Sequence, residues 1–155
     1  MAFVMTTIPR RKIYETMLEF EDAVLEMEIL TYNDDSFESN IEKFKQEKFP
    51  ILIEKIIEIE ALFVMFLNNE KFENEDEFNK VLKSHVKYKE KRRNILLNSE
   101  VLPERFKELL SLIDEITKDS KSLVPDRETT IKSLALLDEF NHIIPKILEI
   151  RRDEM

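Results

Sequence analysis

The chain has 155 residues and a formal net charge of −9, with 43% apolar and 37% charged residues. It contains no glycine and no cysteine, where average usage would supply roughly eleven glycines. These absences exclude disulfides, thiolate nucleophiles, cysteine-ligated zinc and glycine-rich phosphate loops, and they argue against tight hairpin turns. Abundant Lys, Glu, Ile, Asn and Phe also match the output of an AT-rich genome, which accounts for part of the missing glycine. One domain of this length buries about two-thirds of its unfolded surface.

The first eight residues read as a flexible tail, and residues 9–155 as a single domain. Arg10, Arg11 and Lys12 follow the short apolar N-terminus rather than precede it, which is wrong for a signal peptide. The longest apolar run is Ala61 to Leu67, too short to span a membrane. A cytoplasmic protein is expected.

The first predicted helix starts near Pro9 and ends near Asn33. Ile13, Met17, Phe20, Val24 and Met27 recur at helical spacing, and Tyr14, Leu18 and Leu25 widen the stripe. Asn33 to Ser36 breaks it, with Ser39/Glu42 and Asp35/Glu38 as competing capping boxes. The second segment runs to about Leu67. Pro50 either kinks it or opens a separate helix. Leu52, Ile53, Ile56, Ile57, Phe63 and Phe66 form its inward side, and Ala61 to Leu67 is apolar on every face. Such a run is either a core helix or a partner interface.

Asn68-Asn69 closes that helix, asparagine standing in for glycine at a left-handed cap. Asn74 with Glu77 opens a third segment over about 75–97, and Asn98-Ser99 ends it. Pro103 opens a fourth, with Phe106, Leu109, Leu110, Ile113 and Ile116 facing in. Asp126 caps a last helix running to about Arg152, which Pro145 should kink. Short connections make neighbours antiparallel. The prediction is an all-α, single antiparallel bundle of five to six helices, kinked near Pro50 and Pro145.

No constellation marks a catalytic site. Glu139 and His142 lie three residues apart on one helix face, as in di-metal carboxylate bundles, but a second such motif is missing. An ordinary surface histidine is the preferred account of His142, and a satisfied, partly buried histidine that of His85. No cofactor is expected.

Charge is unevenly spread. Lys80 to Arg93 holds Lys80, Lys83, Lys87, Lys89, Lys91, Arg92 and Arg93 against Glu90 alone. Lys83, Lys87 and Lys91 stack at four-residue intervals, which disfavours the helix unless something offsets it. Ile13 to Glu60, with fourteen acids against four lysines, is the internal counterweight. An acidic stripe of Glu15, Glu19, Asp22 and Glu26 is too sparse to imitate duplex DNA.

The leading functional expectation is a non-enzymatic protein-interaction or regulatory protein, of the small acidic inhibitor, immunity or phage-factor kind. Its partner is another protein or a second copy of itself. Leu62, Phe63, Met65 and Phe66 are the apolar contact candidates, and Lys83, Lys87, Lys91, Arg92 and Arg93 the basic ones. One alternative is a metal-binding helical enzyme using Glu139 and His142. The other is nucleic-acid binding through residues 80–93, which a pI near 4.9 disfavours.

Overall fold

The computed structural model describes residues 8–32, 47–68, 70–117 and 127–153. Among them the chain forms six helices and no strand. These are α1 (Ile8–Tyr32), α2 (Phe49–Leu67), α3 (Glu75–Lys87), α4 (Lys89–Leu97), α5 (Glu104–Thr117) and α6 (Arg127–Asp153). The helical bundle read from periodicity is therefore present. The proposed tail, apart from Ile8, lies outside the described residues, as do both capping boxes before Pro50, the cap at Asp126 and the break at Asn33 to Ser36.

The helix α1 packs on α2 and α6, α2 also carries α3 and α4, and α5 lies against α6. The helix α2 is central because its apolar run is buried. Ala61 to Met65 have no exposed surface, and Phe66 has almost none. Aromatic rings link the layers. Phe63 of α2 meets Phe106 of α5 at 5.2 Å, Phe106 stacks on Phe140 of α6 at 5.4 Å, and Phe140 meets Phe20 of α1 edge-on at 6.2 Å. Each such pair adds about 0.5–1.5 kcal/mol beyond the area it buries.

Pro50 sits in the first turn of α2, where its missing N–H has no intrahelical partner to lose. Pro145 lies inside α6, which continues on either side of it. At the start of α3, Asn74 Oδ1 accepts the Glu77 backbone N–H at 2.9 Å. Glu77 Oε2 accepts the N–H of Glu73 at 3.2 Å, one residue before the usual capping-box target.

Two expectations change. The helix α1 leaves Leu18, Leu25 and Ile29 exposed, so its buried stripe is narrower than the pattern of apolar residues suggested. The left-handed cap expected at Asn68-Asn69 falls partly outside the described residues: Asn68 is right-handed (φ −79°, ψ −4°), Asn69 is not described, and the Glu70 N–H donates back to the Met65 carbonyl at 3.2 Å, the long-range bond of a Schellman helix end. At the end of α4, Asn98 (φ −94°, ψ 0°) sends its side-chain amide to the Asn94 carbonyl at 2.8 Å. The third predicted segment is two helices, broken at Tyr88 (φ −98°, ψ 79°) with no glycine or proline to announce it.

Replacing Asn74 by alanine removes the acceptor of the Glu77 N–H. It should lower stability by about 1 kcal/mol in urea unfolding, with an unchanged far-ultraviolet circular dichroism shape.

Candidate functional site

The break at Tyr88 leaves the last carbonyls of α3 without helical partners. In an unbroken helix His85 and Val86 would give their carbonyls to the N–H groups of Lys89 and Glu90. Here Arg92 Nη1 donates to both, at 3.0 Å to His85 and 2.9 Å to Val86. Arg92 is only 2% exposed, so this guanidinium works inside the protein as a cap for α3.

Its charge is met by Glu60, which lies in α2 at the edge of the buried stripe and is itself buried. Arg92 Nη2 is 3.6 Å from Glu60 Oε2, and Arg93 Nε is 2.7 Å from Glu60 Oε1. These contacts are close but poorly aligned. Neither Glu60 oxygen, nor Arg92 Nε, nor Arg93 Nε has hydrogen-bond geometry to any partner. The attraction is therefore Coulombic rather than a bidentate fork. Arg93 also donates to the Leu110 carbonyl at 2.9 Å and lies 3.5 Å from Asp114, which Lys89 meets at 3.0 Å. The cluster thus ties α2, α3, α4 and α5 together around a small cavity of about 120 Å³. Burial pushes the Glu60 carboxyl up from its ordinary value, with Arg93 and Arg92 opposing. Burial likewise pushes the Arg92 guanidinium down, with Glu60 opposing.

The basic candidates divide accordingly. Arg92 and Arg93 are turned inward, while Lys83, Lys87 and Lys91 remain exposed. The break puts Lys91 on α4, so the predicted row of three lysines does not run along one helix, while Lys83 and Lys87 still share α3. The apolar candidates Leu62, Phe63, Met65 and Phe66 are core residues and offer no surface to a partner. They are covered because α2 has neighbours on several sides.

Glu139 and His142 share α6 but contact different partners. Both Glu139 oxygens are held by Arg105 of α5, at 2.5 and 2.6 Å. This pairing holds the Glu139 carboxyl below the usual range. His142 is exposed and donates from Nδ1 to the Asp138 carbonyl at 2.7 Å. No group of three or more His, Asp or Glu side chains suited to a metal ion occurs among the described residues. His85 is satisfied as expected, its Nε2 lying 3.2 Å from Glu70 Oε1. The acidic stripe of α1 is partly neutralised across the helix interface, Glu19 pairing with Lys55 and Glu26 with Lys48.

A surface that periodicity did not single out lies between α2 and α3. Ile53 and Ile57 of α2 face Leu82 and Val86 of α3 across a groove of about 590 Å³, with Pro50 at one end. The α2 wall carries Glu54 and Glu58, and the α3 wall carries Lys83 and Lys87. The sequence placed Ile53 and Ile57 on the inward side with Leu52 and Ile56. Instead they are half-buried, because α3 contacts α2 without closing over them. A two-sided apolar face on α2, next to a basic α3 bearing Val86, was the available signal.

No family model, curated protein or solved structure matches this chain. No described helix is long and apolar enough to cross a membrane.

Two outcomes follow from the buried ion cluster. Arg92→Met removes two carbonyl hydrogen bonds and one ion-pair partner from a buried site, and should lower stability by about 3 kcal/mol in urea unfolding. The second concerns pH. A carboxyl raised by folding gives its stabilisation fully below its ordinary value of 4.5 and loses it as pH rises through the folded value. Stability of the wild type relative to Glu60→Gln should therefore fall as pH is raised from 4 towards neutrality. A flat difference across parallel urea titrations would show that Glu60 is not perturbed.

Proposed function

We propose that this chain is a non-enzymatic protein-interaction module whose contact surface is the groove between α2 and α3. The observation that carries the reading is the groove itself, an apolar floor of Ile53, Ile57, Leu82 and Val86 that the described chain leaves open. Isolated exposed apolar residues need no explanation, but a contiguous trough between two helices is a common protein-docking surface. The side chains with chemical potential support the same reading. Glu60, Glu139 and His85 are each engaged by charged partners within the fold.

The role is that of a small acidic helical regulator or inhibitor, which acts by occupying a partner rather than by turning over a substrate. Nucleic-acid binding through residues 80–93 gains less support. Two of its seven cations, Arg92 and Arg93, are spent on Glu60, and Lys89 is paired with Asp114.

A photo-crosslinking residue at position 86 should capture a partner protein from cells of the source organism. Val86 is 39% exposed, so Val86→Asp can be made with little loss of stability. That change should abolish co-purification of the partner, whereas Ile51→Asp, outside the groove and 45% exposed, should preserve it. Equal capture by both variants, at unchanged melting temperature, would exclude the groove as the contact surface.

A further inference from the structure

Resting on the reading of the groove as a docking surface, we infer that its occupant is an amphipathic helix with one basic flank and one acidic flank. The walls are themselves helices, and their side chains come in matched rows. Ile53/Ile57 and Glu54/Glu58 repeat at four residues on α2, and Leu82/Val86 and Lys83/Lys87 repeat at four residues on α3. Four residues of helix rise ~6 Å, so each row presents two equivalent positions one turn apart. A helix laid along the trough meets that repeat with its own apolar residues one turn apart.

The charges select among such helices. The α2 wall is acidic and the α3 wall basic, yet no ion pair crosses the groove between them. Glu54, Lys83 and Lys87 make no ion pair among the described residues. Glu58 keeps a 3.9 Å contact with Lys55 and a long hydrogen bond from Thr16. Opposite charges held apart on facing walls attract an occupant that supplies the complement on each side. A uniformly basic helix is repelled by Lys83 and Lys87, and a uniformly acidic one by Glu54 and Glu58. The mixed helix fits in one direction only, because reversing it exchanges its flanks. The walls therefore fix polarity as well as preference.

A second copy of the chain is a poor occupant. Its exposed apolar stripe on α1, Leu18, Leu25 and Ile29, is bordered by Glu21 on one side and Asp22 and Glu26 on the other. Both borders are acidic, so one of them meets Glu54 and Glu58.

The test uses three stapled synthetic helices of about 15 residues, long enough to hold helical form once stapled. They share one apolar stripe and differ only in their flanks: mixed, both basic, or both acidic. The chain has no tryptophan, so a single tryptophan in the peptide reports binding by its fluorescence. The mixed peptide should bind the wild type about 10-fold tighter than either uniform peptide at low salt, the gap narrowing as salt is added. Lys83→Glu with Lys87→Glu should move the preference to the both-basic peptide, and Glu54→Lys with Glu58→Lys to the both-acidic one. Equal binding of all three, or a preference that the reversals do not move, overturns the inference while leaving the groove a docking surface. Failure of every peptide overturns both. A dimer of the free chain that Val86→Asp dissolves, seen by light scattering, also overturns it, because a second copy then fills the groove.

Discussion

Glu60 is the point on which the arrangement of the helices turns. It is an acid placed in the central helix at the edge of an apolar stripe, and it is buried against the buried Arg92 and the partly buried Arg93 of α4. Taking three charged groups out of water is expensive, and a hydrophobic cluster of similar volume often serves stability as well or better. What the ions supply here is direction. Arg92 reaches the ends of α3, Arg93 reaches α5, and both converge on α2. The aromatic chain from Phe63 through Phe106 and Phe140 to Phe20 holds the other side of the bundle together. The two systems meet along α2, which presents its aromatic face to α5 and its acidic edge to α4.

The absence of glycine shapes how helices end in this protein. A left-handed glycine or asparagine just past the last helical residue is a common device for stopping a helix, and at the end of α2 the Glu70 N–H makes the matching bond back to the Met65 carbonyl at 3.2 Å. Asn98, at the end of α4, is right-handed and contributes its side-chain amide to a carbonyl one turn back. Between α3 and α4 the stop is a single residue, Tyr88, and the loose carbonyls are collected by a guanidinium from the next helix. A chain poor in small residues thus ends a helix with a long cation instead.

Much of this was legible in the sequence. Helical periodicity, proline positions and asparagine-rich breaks gave an all-helical bundle of five to six helices and the core face of α5, because those signals are local. Asn74 with Glu77 marked a true helix start. The break at Tyr88 was not legible, since no glycine or proline stands there and the Arg92 side chain that collects the freed carbonyls is also held by Glu60 from a distant part of the chain. The apolar residues of α1 and α2 were harder to sort for the same reason. Leu18 and Leu25 look like core by spacing, and Leu62, Phe63, Met65 and Phe66 look equally like core or interface. Only the neighbours decide which face is covered. The groove escaped notice because Ile53 and Ile57 are indistinguishable by pattern from Leu52 and Ile56, which are fully covered.

The hold that Arg92 keeps on α3 has a consequence for how this surface can change over generations. Its hydrogen bonds go to the main-chain oxygens of His85 and Val86. Val86 and Lys87 are thus fixed in position by atoms that every amino acid possesses. On the proposed reading of the groove as a docking surface, substitutions there alter what it accepts without disturbing what keeps its wall in place. Architecture and the proposed recognition are then carried by different atoms of the same few residues, which leaves the recognition free to drift.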